Sequence, residues 1–239
     1  FIMPLLPKID HPTFKIKVPS TEKTHAFRPF LVKEEKILLT AQQAGGEKDI
    51  ILAIKQVLVN CIQDPTFDVD TLTTFDLEHM FLKLRARSVN NIIEVSYRDN
   101  EDDKVYDFTI DLDEVEMLKT KEINNKIMVT EEVGIIMKFP SVTMIEGVPS
   151  DISSVDLVDY LVRSCIDQIF DAEEVYLASE STEAELNEFI DSLDVESFNK
   201  IREFFDSLPS LYHKLEYTNS LGNARTIELT TLSDFFTWG

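Results

Sequence analysis

The stretch from His25 to Gly46 constrains the fold most, because it joins an extended segment to a helix through a proline corner. Arg28 precedes Pro29, and a residue before proline is disfavoured in the helical region, so the chain must arrive extended. After the corner, apolar residues recur at helical spacing, at Ile37, Leu38, Ala41 and Ala44. The pair Gly45-Gly46 can adopt the left-handed conformation that ends helices. We therefore predict a strand, a corner, a helix and a stop, in that order.

The rest of the N-terminal half alternates between the periods of strands and helices. Alternating apolar residues predict three hairpins, over 14–27, 92–112 and 126–139. Apolar stripes at helical spacing predict two further helices, over 50–61 and 77–84. Both kinds of element therefore share this half of the chain.

The C-terminal part is a run of acidic helices that closes on another hairpin. Apolar stripes predict helices over 153–169, 182–193 and 195–208, and the first stripe is too wide for a lone surface helix. The final hairpin, over 214–229, repeats the pattern of the hairpin over 92–112. This echo suggests a structural duplication.

The order of these elements predicts an α+β fold. We expect β-hairpins at the N-terminus, in the middle and at the C-terminus, with the acidic helical segment between the last two. We further expect an N-terminal α+β domain over 1–140, which contains the strand, corner and helix. The acidic helical segment and its closing hairpin would then occupy 141–239.

The charge of the chain is strongly negative and unevenly distributed. The formal net charge is −21, and residues 146–206 hold 17 acidic side chains against 3 basic ones. Residues 1–36 hold 7 basic side chains against 4 acidic ones. Nucleic acids and anionic membranes attract clustered Lys and Arg, so we expect neither as a partner. An acidic face could instead bind a basic or helical protein, and a solvated face that keeps the chain soluble is the alternative.

The sequence carries no recognisable catalytic or cofactor motif. Phosphate-binding loops need clustered glycines, and this chain has 6 glycines in total. The 4 histidines are scattered, and no nucleophile elbow is present. Cys61 and Cys165 each lie on an apolar helix stripe, which predicts two buried thiols. We therefore expect no enzyme activity and no cofactor. We also expect no bound metal, because the acidic loop 99–103 lacks the spacing of a calcium-binding loop.

Two sequence runs carry a resemblance to a known family. The run 27–39 reads Phe-Arg-Pro-Phe-Leu-Val-Lys-Glu-Glu-Lys-Ile-Leu-Leu, and the run 7–14 reads Pro-Lys-Ile-Asp-His-Pro-Thr-Phe. Together they resemble the baseplate hub assembly proteins of T4-like contractile-tailed bacteriophages. We expect the signature residues to build the corner rather than to contact a partner; they are Phe27, Arg28, Pro29, Phe30, Glu34 and Glu35.

The resemblance implies a non-enzymatic protein that binds and helps to assemble the baseplate hub, as a chaperone of the hub or of the tape-measure protein. The alternative is a permanent structural subunit of the virion baseplate hub. A third alternative, a hydrolase that acts during infection, would need a cleft of convergent His or carboxylate groups. The apolar runs are too short to cross a bilayer and no signal-peptide pattern is present, so we expect the host cytoplasm or the virion baseplate as the location.

Aromatic side chains in the C-terminal part are the candidate contacts for a hub or tape-measure partner. Tape-measure proteins are long helical chains with apolar stripes, and an amphipathic groove could shield such stripes. The candidate residues are Phe189, Phe198, Phe204, Phe205, Phe235, Phe236 and Trp238. We expect the aromatic residues of the helices to be exposed. The aromatic end of the chain, with Phe235, Phe236 and Trp238, is either packed into the core or offered to a partner.

Overall fold

A computed structural model describes residues 9–118, 123–149 and 152–235, and these form helices and strands in mixed order. The helices are α1 (Val32–Ala44), α2 (Glu47–Cys61), α3 (Thr74–Ser88), α4 (Val142–Gly147), α5 (Ser154–Cys165), α6 (Glu183–Asp191) and α7 (Val195–Asp206). The strands are β1 (Phe14–Lys17), β2 (Thr24–Phe27), β3 (Ile92–Arg98), β4 (Val105–Asp111), β5 (Glu116–Leu118), β6 (Lys126–Met128), β7 (Gly134–Met137), β8 (Ile166–Phe170), β9 (Val175–Leu177), β10 (Ser210–Thr218) and β11 (Ala224–Leu229). The predicted α+β class is confirmed.

The strands of the described residues form four antiparallel sheets. The hairpins β1–β2 and β3–β4 are each two-stranded. Strand β10 pairs with β11 on one side and with β5 on the other. The fourth sheet has the order β6-β7-β8-β9. All four hairpins predicted from alternating apolar residues are therefore confirmed.

Local signals account for the ends of several helices. Gly45 follows α1 with a φ of +78°, a left-handed conformation that suits glycine. At the start of α3, the Thr73 hydroxyl accepts the Asp76 N–H at 3.2 Å. Thr182 and Glu185 form the same capping box before α6.

Across the residues that the structure describes, no helix combines the length and the apolarity needed to cross a membrane.

Two hydrophobic cores organise these elements. The larger one, here called the N-terminal core, collects α1–α3, the first two hairpins, the start of α4 and the C-terminal hairpin. The smaller one, here called the acidic-unit core, is formed by β6–β8 and α5–α7. These elements, together with β9, are called the acidic unit below. Phe139 packs against the acidic-unit core, with its ring centroid 6.2 Å from that of Phe204, and also lies 5.6 Å from the ring centroid of Phe75 on α3. The division into domains at residue 140 stays a prediction.

An ion pair inside the proline corner joins three elements. The Arg28 guanidinium donates to both carboxylate oxygens of Glu34, at 2.9 and 3.3 Å. It also donates to the carbonyl oxygens of Asn60 at 2.8 Å and Pro29 at 2.9 Å. Glu34 is fully buried and, in the first turn of α1, accepts the Leu31 N–H at 2.9 Å. The end of β2, the start of α1 and the end of α2 are therefore tied at one point.

Hydrogen bonding keeps Glu34 ionised inside the protein. Burial alone would raise the pKa of its carboxyl group, but hydrogen bonds from Arg28 and Leu31 and the charge of Arg28 lower that pKa overall. The same contact raises the pKa of Arg28. Both partners are thus charged. Lys33 Nζ also lies 3.4 Å from Glu34 Oε1 but is exposed, so removing Arg28 would leave the buried carboxylate with a solvated cation in its place.

The remaining signature residues continue the corner into the N-terminal core. Phe27 is fully buried and Phe30 is 8% exposed. The Phe30 N–H donates to the Ser88 hydroxyl at 2.9 Å, which adds the end of α3 to the junction. Glu35 is exposed, so it contributes nothing to this packing. The corner is therefore built by the signature residues other than Glu35.

The tips of the hairpins β3–β4 and β10–β11 have similar turns that differ in length by one residue. The N–H groups of Asp99 and Asn219 close their own hairpins by donating to the carbonyl oxygens of Lys104 and Asn223, at 2.8 and 3.0 Å. Both side chains are buried, and each accepts the backbone N–H two residues further on, at 2.7 and 3.1 Å. The duplication suggested by the sequence stays a prediction, with this shared turn as support.

The same two tips bind each other. Asp99 Oδ2 accepts the Tyr217 hydroxyl at 2.6 Å and the Arg225 Nε at 3.1 Å. The Glu101 carboxylate accepts the Asn219 amide at 2.6 Å. Carboxylates of the acidic loop are therefore engaged by donors of the second hairpin, which closes the N-terminal core.

The helix predicted over 153–169 is too long, and this part of the prediction is wrong. Helix α5 ends at Cys165, and the next five residues form β8. Strand β8 pairs with β7 on one side and β9 on the other, so its backbone gains two ladders of hydrogen bonds. Ile166 and Ile169 suit this position because β-branched side chains pack well between neighbouring strands. The wide apolar stripe thus combines a helix face with a strand.

Three groups with perturbed pKa values lie in the interior. Cys61 and Cys165 are free and buried, as predicted, and burial raises the pKa of each thiol to about 12. Burial and the charge of Lys83 lower the pKa of His79 to about 4, against the opposing effect of Asp76. Within the described residues, His79 Nδ1 has no hydrogen-bond partner. All three groups are therefore uncharged at neutral pH.

Replacing Arg28 should destabilise the protein strongly. Arg28→Met leaves the buried Glu34 with the exposed Lys33 as its charge partner, so we expect the free energy of unfolding to fall by about 3 kcal/mol. Urea denaturation followed by circular dichroism measures the change. The matched variant Arg98→Met breaks an exposed pair with Asp103 and should cost less than about 1 kcal/mol. Equal losses in the two variants would contradict the role of the corner.

Acidification should destabilise the chain through His79. The pKa of the folded ring is about 4, whereas that of an unfolded histidine is about 6.5. The unfolded chain therefore takes up a proton first, and stability falls by on the order of 2 kcal/mol as the pH drops through this window. Urea denaturation at several pH values should show a flatter dependence of stability on pH for His79→Gln than for the wild type. An unchanged curve for His79→Gln would refute this assignment.

Candidate interaction surface

Strand β9 exposes three consecutive apolar side chains at the edge of a sheet. Val175, Tyr176 and Leu177 are 60%, 45% and 39% exposed. β9 is the last strand in the order β6-β7-β8-β9, with Val175 opposite Phe170 and Leu177 opposite Gln168. An edge strand presents backbone N–H and C=O groups that can pair with another chain. The outer side of β9 is therefore a candidate for binding.

A tight turn places β9 beside β8. Asp171 Oδ1 accepts the N–H groups of Glu173 and Glu174, both at 2.8 Å, and the Asp171 N–H donates to the Glu174 carbonyl at 3.0 Å. These backbone donors lower the pKa of Asp171. The Tyr176 hydroxyl donates to Asp171 Oδ2 at 3.2 Å, which raises the pKa of the tyrosine. Asp171 thus orders the turn and remains ionised at neutral pH.

A groove of about 440 Å³ lies beside β9, between β8 and α6. Its apolar lining consists of Val133, Ile169, Phe170, Tyr176, Leu186 and Phe189. Its acidic lining consists of Asp171, Glu180 and Glu185. The groove therefore combines an apolar wall with anionic groups.

The ring of Phe170 forms one wall of the groove and lies over a glycine. A Cβ atom at Gly134 would lie 2.2 Å from Phe170 Cζ, so a larger residue would displace the ring. Lys126 Nζ lies 4.7 Å from the centroid of the same ring, in a cation–π contact. Strands β6 and β7 thus hold this wall in position.

The groove carries negative charge at neutral pH. The hydroxyl and the N–H of Thr182 both donate to Glu185 at 2.7 Å and lower its pKa. Asp171 is stabilised in its ionised form by the turn, and Glu180 is exposed. Because charge complementarity selects partners, this surface favours a basic segment over an acidic one.

Two further grooves, of about 310 and 290 Å³, adjoin Arg163 on α5. Arg163 already has partners, since it donates to the Asn187 side chain at 2.6 Å, pairs with Glu183 at 2.6 Å and lies 5.7 Å from the Tyr160 ring. Neither His nor Cys lines these grooves or the one beside β9. In the described part of the chain, no group of three or more His, Cys, Asp or Glu residues could hold a metal. The arrangement suits binding.

The predicted contact aromatics of the acidic unit differ in their exposure. Phe189 lines the groove beside β9 and is half-buried. Phe198 and Phe205 are also half-buried and pack against the acidic-unit core. Phe204 is 2% exposed and is a core residue, which corrects the expectation that it is exposed. Of these four residues, the structure places Phe189 alone in the groove.

The aromatic end of the chain is partly described. Phe235 is fully buried in the N-terminal core, so of the two alternatives for the aromatic end the packed one holds for this residue. Phe236 and Trp238 lie outside the described residues. Leu229 and Leu232 share the core with Phe235, which explains its burial, because the last hairpin packs its apolar face there.

Sequence reasoning missed the residues that define the open edge. Val175, Tyr176 and Leu177 form a run of β-forming residues directly after the acidic turn over 171–174. That run was a usable strand signal. The predicted helix over 153–169 includes most of β8, the strand with which β9 pairs. Without β8 as a partner, the strand signal over 175–177 was not recognised.

Comparison with known proteins places the chain in a family. The family model described as T4 bacteriophage base plate protein matches residues 11–237. No curated protein and no solved structure matches the chain. The matched range contains the proline corner, both cores and β9, and it confirms the resemblance drawn from the sequence. The chain therefore belongs to the family of T4 bacteriophage base plate proteins.

Proposed function

We propose that this baseplate protein is a non-enzymatic assembly factor that binds another protein of the baseplate hub and guides its incorporation. The open edge at β9 with its adjoining groove carries the proposal, because an exposed strand beside an apolar groove is a common site of protein recognition. Family membership supplies the baseplate context.

The distribution of reactive groups supports a role without catalysis. Active sites gather groups with perturbed pKa values in a cleft. The two cysteines and His79 have such pKa values and line none of the three grooves. The groups with shifted pKa values in the groove beside β9, Asp171, Tyr176 and Glu185, are engaged in the hydrogen bonds of a turn and a helix cap. Thiols with a pKa of about 12 are protonated at neutral pH and are poor nucleophiles.

The proposed partner is a hub protein or the tape-measure protein. Before a hub closes, surfaces that will later meet inside it are exposed to water, and apolar ones tend to associate wrongly. The groove beside β9 could cover such a surface, while the negative charge of the acidic unit keeps the complex soluble. Release would follow when the final neighbour replaces the chain.

The protein content of purified virions tests this role. We expect the chain in infected cells and in assembly intermediates, and we expect finished virions to lack it, because an assembly factor leaves its product. Quantitative mass spectrometry with the tail sheath protein as internal standard measures both. A fixed copy number in virions that matches the symmetry of the baseplate would contradict the proposal and favour a permanent structural subunit.

A further inference from the structure

The four-stranded sheet of the acidic unit has one covered edge and one open edge. At the β6 edge, the Ser197 hydroxyl donates to the Val129 carbonyl at 3.3 Å, and Lys200 Nζ donates to the Met128 carbonyl at 3.4 Å, both from α7. At the β9 edge, all three residues are exposed. Proteins commonly protect such edges with very short strands, charged residues or proline. β9 is short, but its sequence Val-Tyr-Leu contains neither a charge nor a proline.

We propose that β9 accepts a fifth strand from a partner, namely an extended segment of a tail protein in which apolar residues alternate with basic ones. This inference rests on the proposed function, since it specifies how the bound tail protein is held. In strand addition, main-chain groups pair along the edge and alternate side chains point to one face. One set of side chains would reach the groove beside β9.

The groove supplies affinity that the short edge lacks. β9 is three residues long, and the Leu177 carbonyl already accepts the Ser181 hydroxyl at 3.2 Å. Main-chain pairing alone would therefore form only a few hydrogen bonds. Phe170, Tyr176 and Phe189 offer apolar surface next to the edge, so an apolar side chain of the added strand can be buried there.

Charge determines the polar residues of the added strand. Asp171, Glu180 and Glu185 line the groove, and hydrogen bonds hold the first and the last of them in their ionised form. The nearby cations are already engaged, Lys126 over Phe170 and Arg163 with Glu183. Lys or Arg residues that alternate with the apolar ones point away from the groove, where the negative charge of residues 146–206, with 17 acidic side chains against 3 basic ones, attracts them.

A second copy of this chain fits the same edge poorly. Two β9 strands side by side would bring two acidic grooves together, and like charges across a strand pair are destabilising. A helix could fill the groove, but it would leave the main-chain groups of β9 without partners. A basic, extended segment uses the edge, the groove and the charge together.

The decisive experiment uses the full chain and the synthetic peptide KVKFKVK, in which lysine alternates with valine and phenylalanine. Two N-methylated versions each block the amides of one alternate set of residues. Since alternate residues of an added strand direct their N–H groups to its neighbour, we expect one version to bind about tenfold more weakly or worse, and the other to bind like the parent. Isothermal titration calorimetry measures the affinities.

A pair of protein variants locates the binding site. Tyr176→Ser removes an aromatic wall next to the edge and should weaken peptide binding by about tenfold. Tyr212→Ser is the matched control, because Tyr212 also donates to a carboxylate at 3.2 Å, that of Glu228, but lies on β10. Circular dichroism and thermal melting establish that both variants fold.

Four results would overturn strand addition. These are no binding of KVKFKVK, equal binding of both N-methylated versions, equal binding of the acidic peptide EVEFEVE, and unchanged binding by Tyr176→Ser. Size-exclusion chromatography with purified hub and tape-measure proteins separates this inference from the proposed function. Equal binding of a tail protein by wild type and Tyr176→Ser would refute strand addition alone, whereas failure of the wild type to bind either protein would refute the proposed function.

Discussion

The buried ion pair between Arg28 and Glu34 is the interaction on which the rest of the structure depends. It lies where the end of β2, the start of α1 and the end of α2 meet, and an unpaired charge at such a place would be costly. Glu34 also accepts the Leu31 N–H, so one side chain both pairs the charge and caps the helix. The N-terminal core therefore packs around a junction in which Arg28 and Glu34 fix the positions of β2, α1 and α2.

The acidic unit contrasts with this closed core. The hairpin tips at Asp99 and Asn219 bind each other and complete the N-terminal core, while Phe139 connects that core to the acidic one. In the acidic unit, α7 covers the β6 edge of the sheet and β9 remains exposed. A stable frame thus presents the exposed β9 edge of this sheet, which suits a protein that holds others during assembly.

Elements defined by neighbouring residues could be predicted from the sequence, and those defined by distant contacts could not. The stop at Gly45 and the alternating hairpins are local patterns. Strand β8 depends on pairing with β7 and strand β9 on pairing with β8, and Ile166 and Ile169 satisfy the helical spacing as well as the strand. The burial of Phe204 depends on Phe139, which is far away in sequence. The missed part of the candidate site is therefore the part built by tertiary pairing.

The open edge at β9 is tested most directly by amide hydrogen exchange of the chain alone and in complex with the hub or tape-measure protein that it binds. Exchange reports the pairing of backbone amides segment by segment. We expect slower exchange over 171–177 in the complex, with the hairpin over 92–111 unchanged. Slower exchange confined to the N-terminal core, with 171–177 exchanging as in the free chain, would contradict this mode of binding.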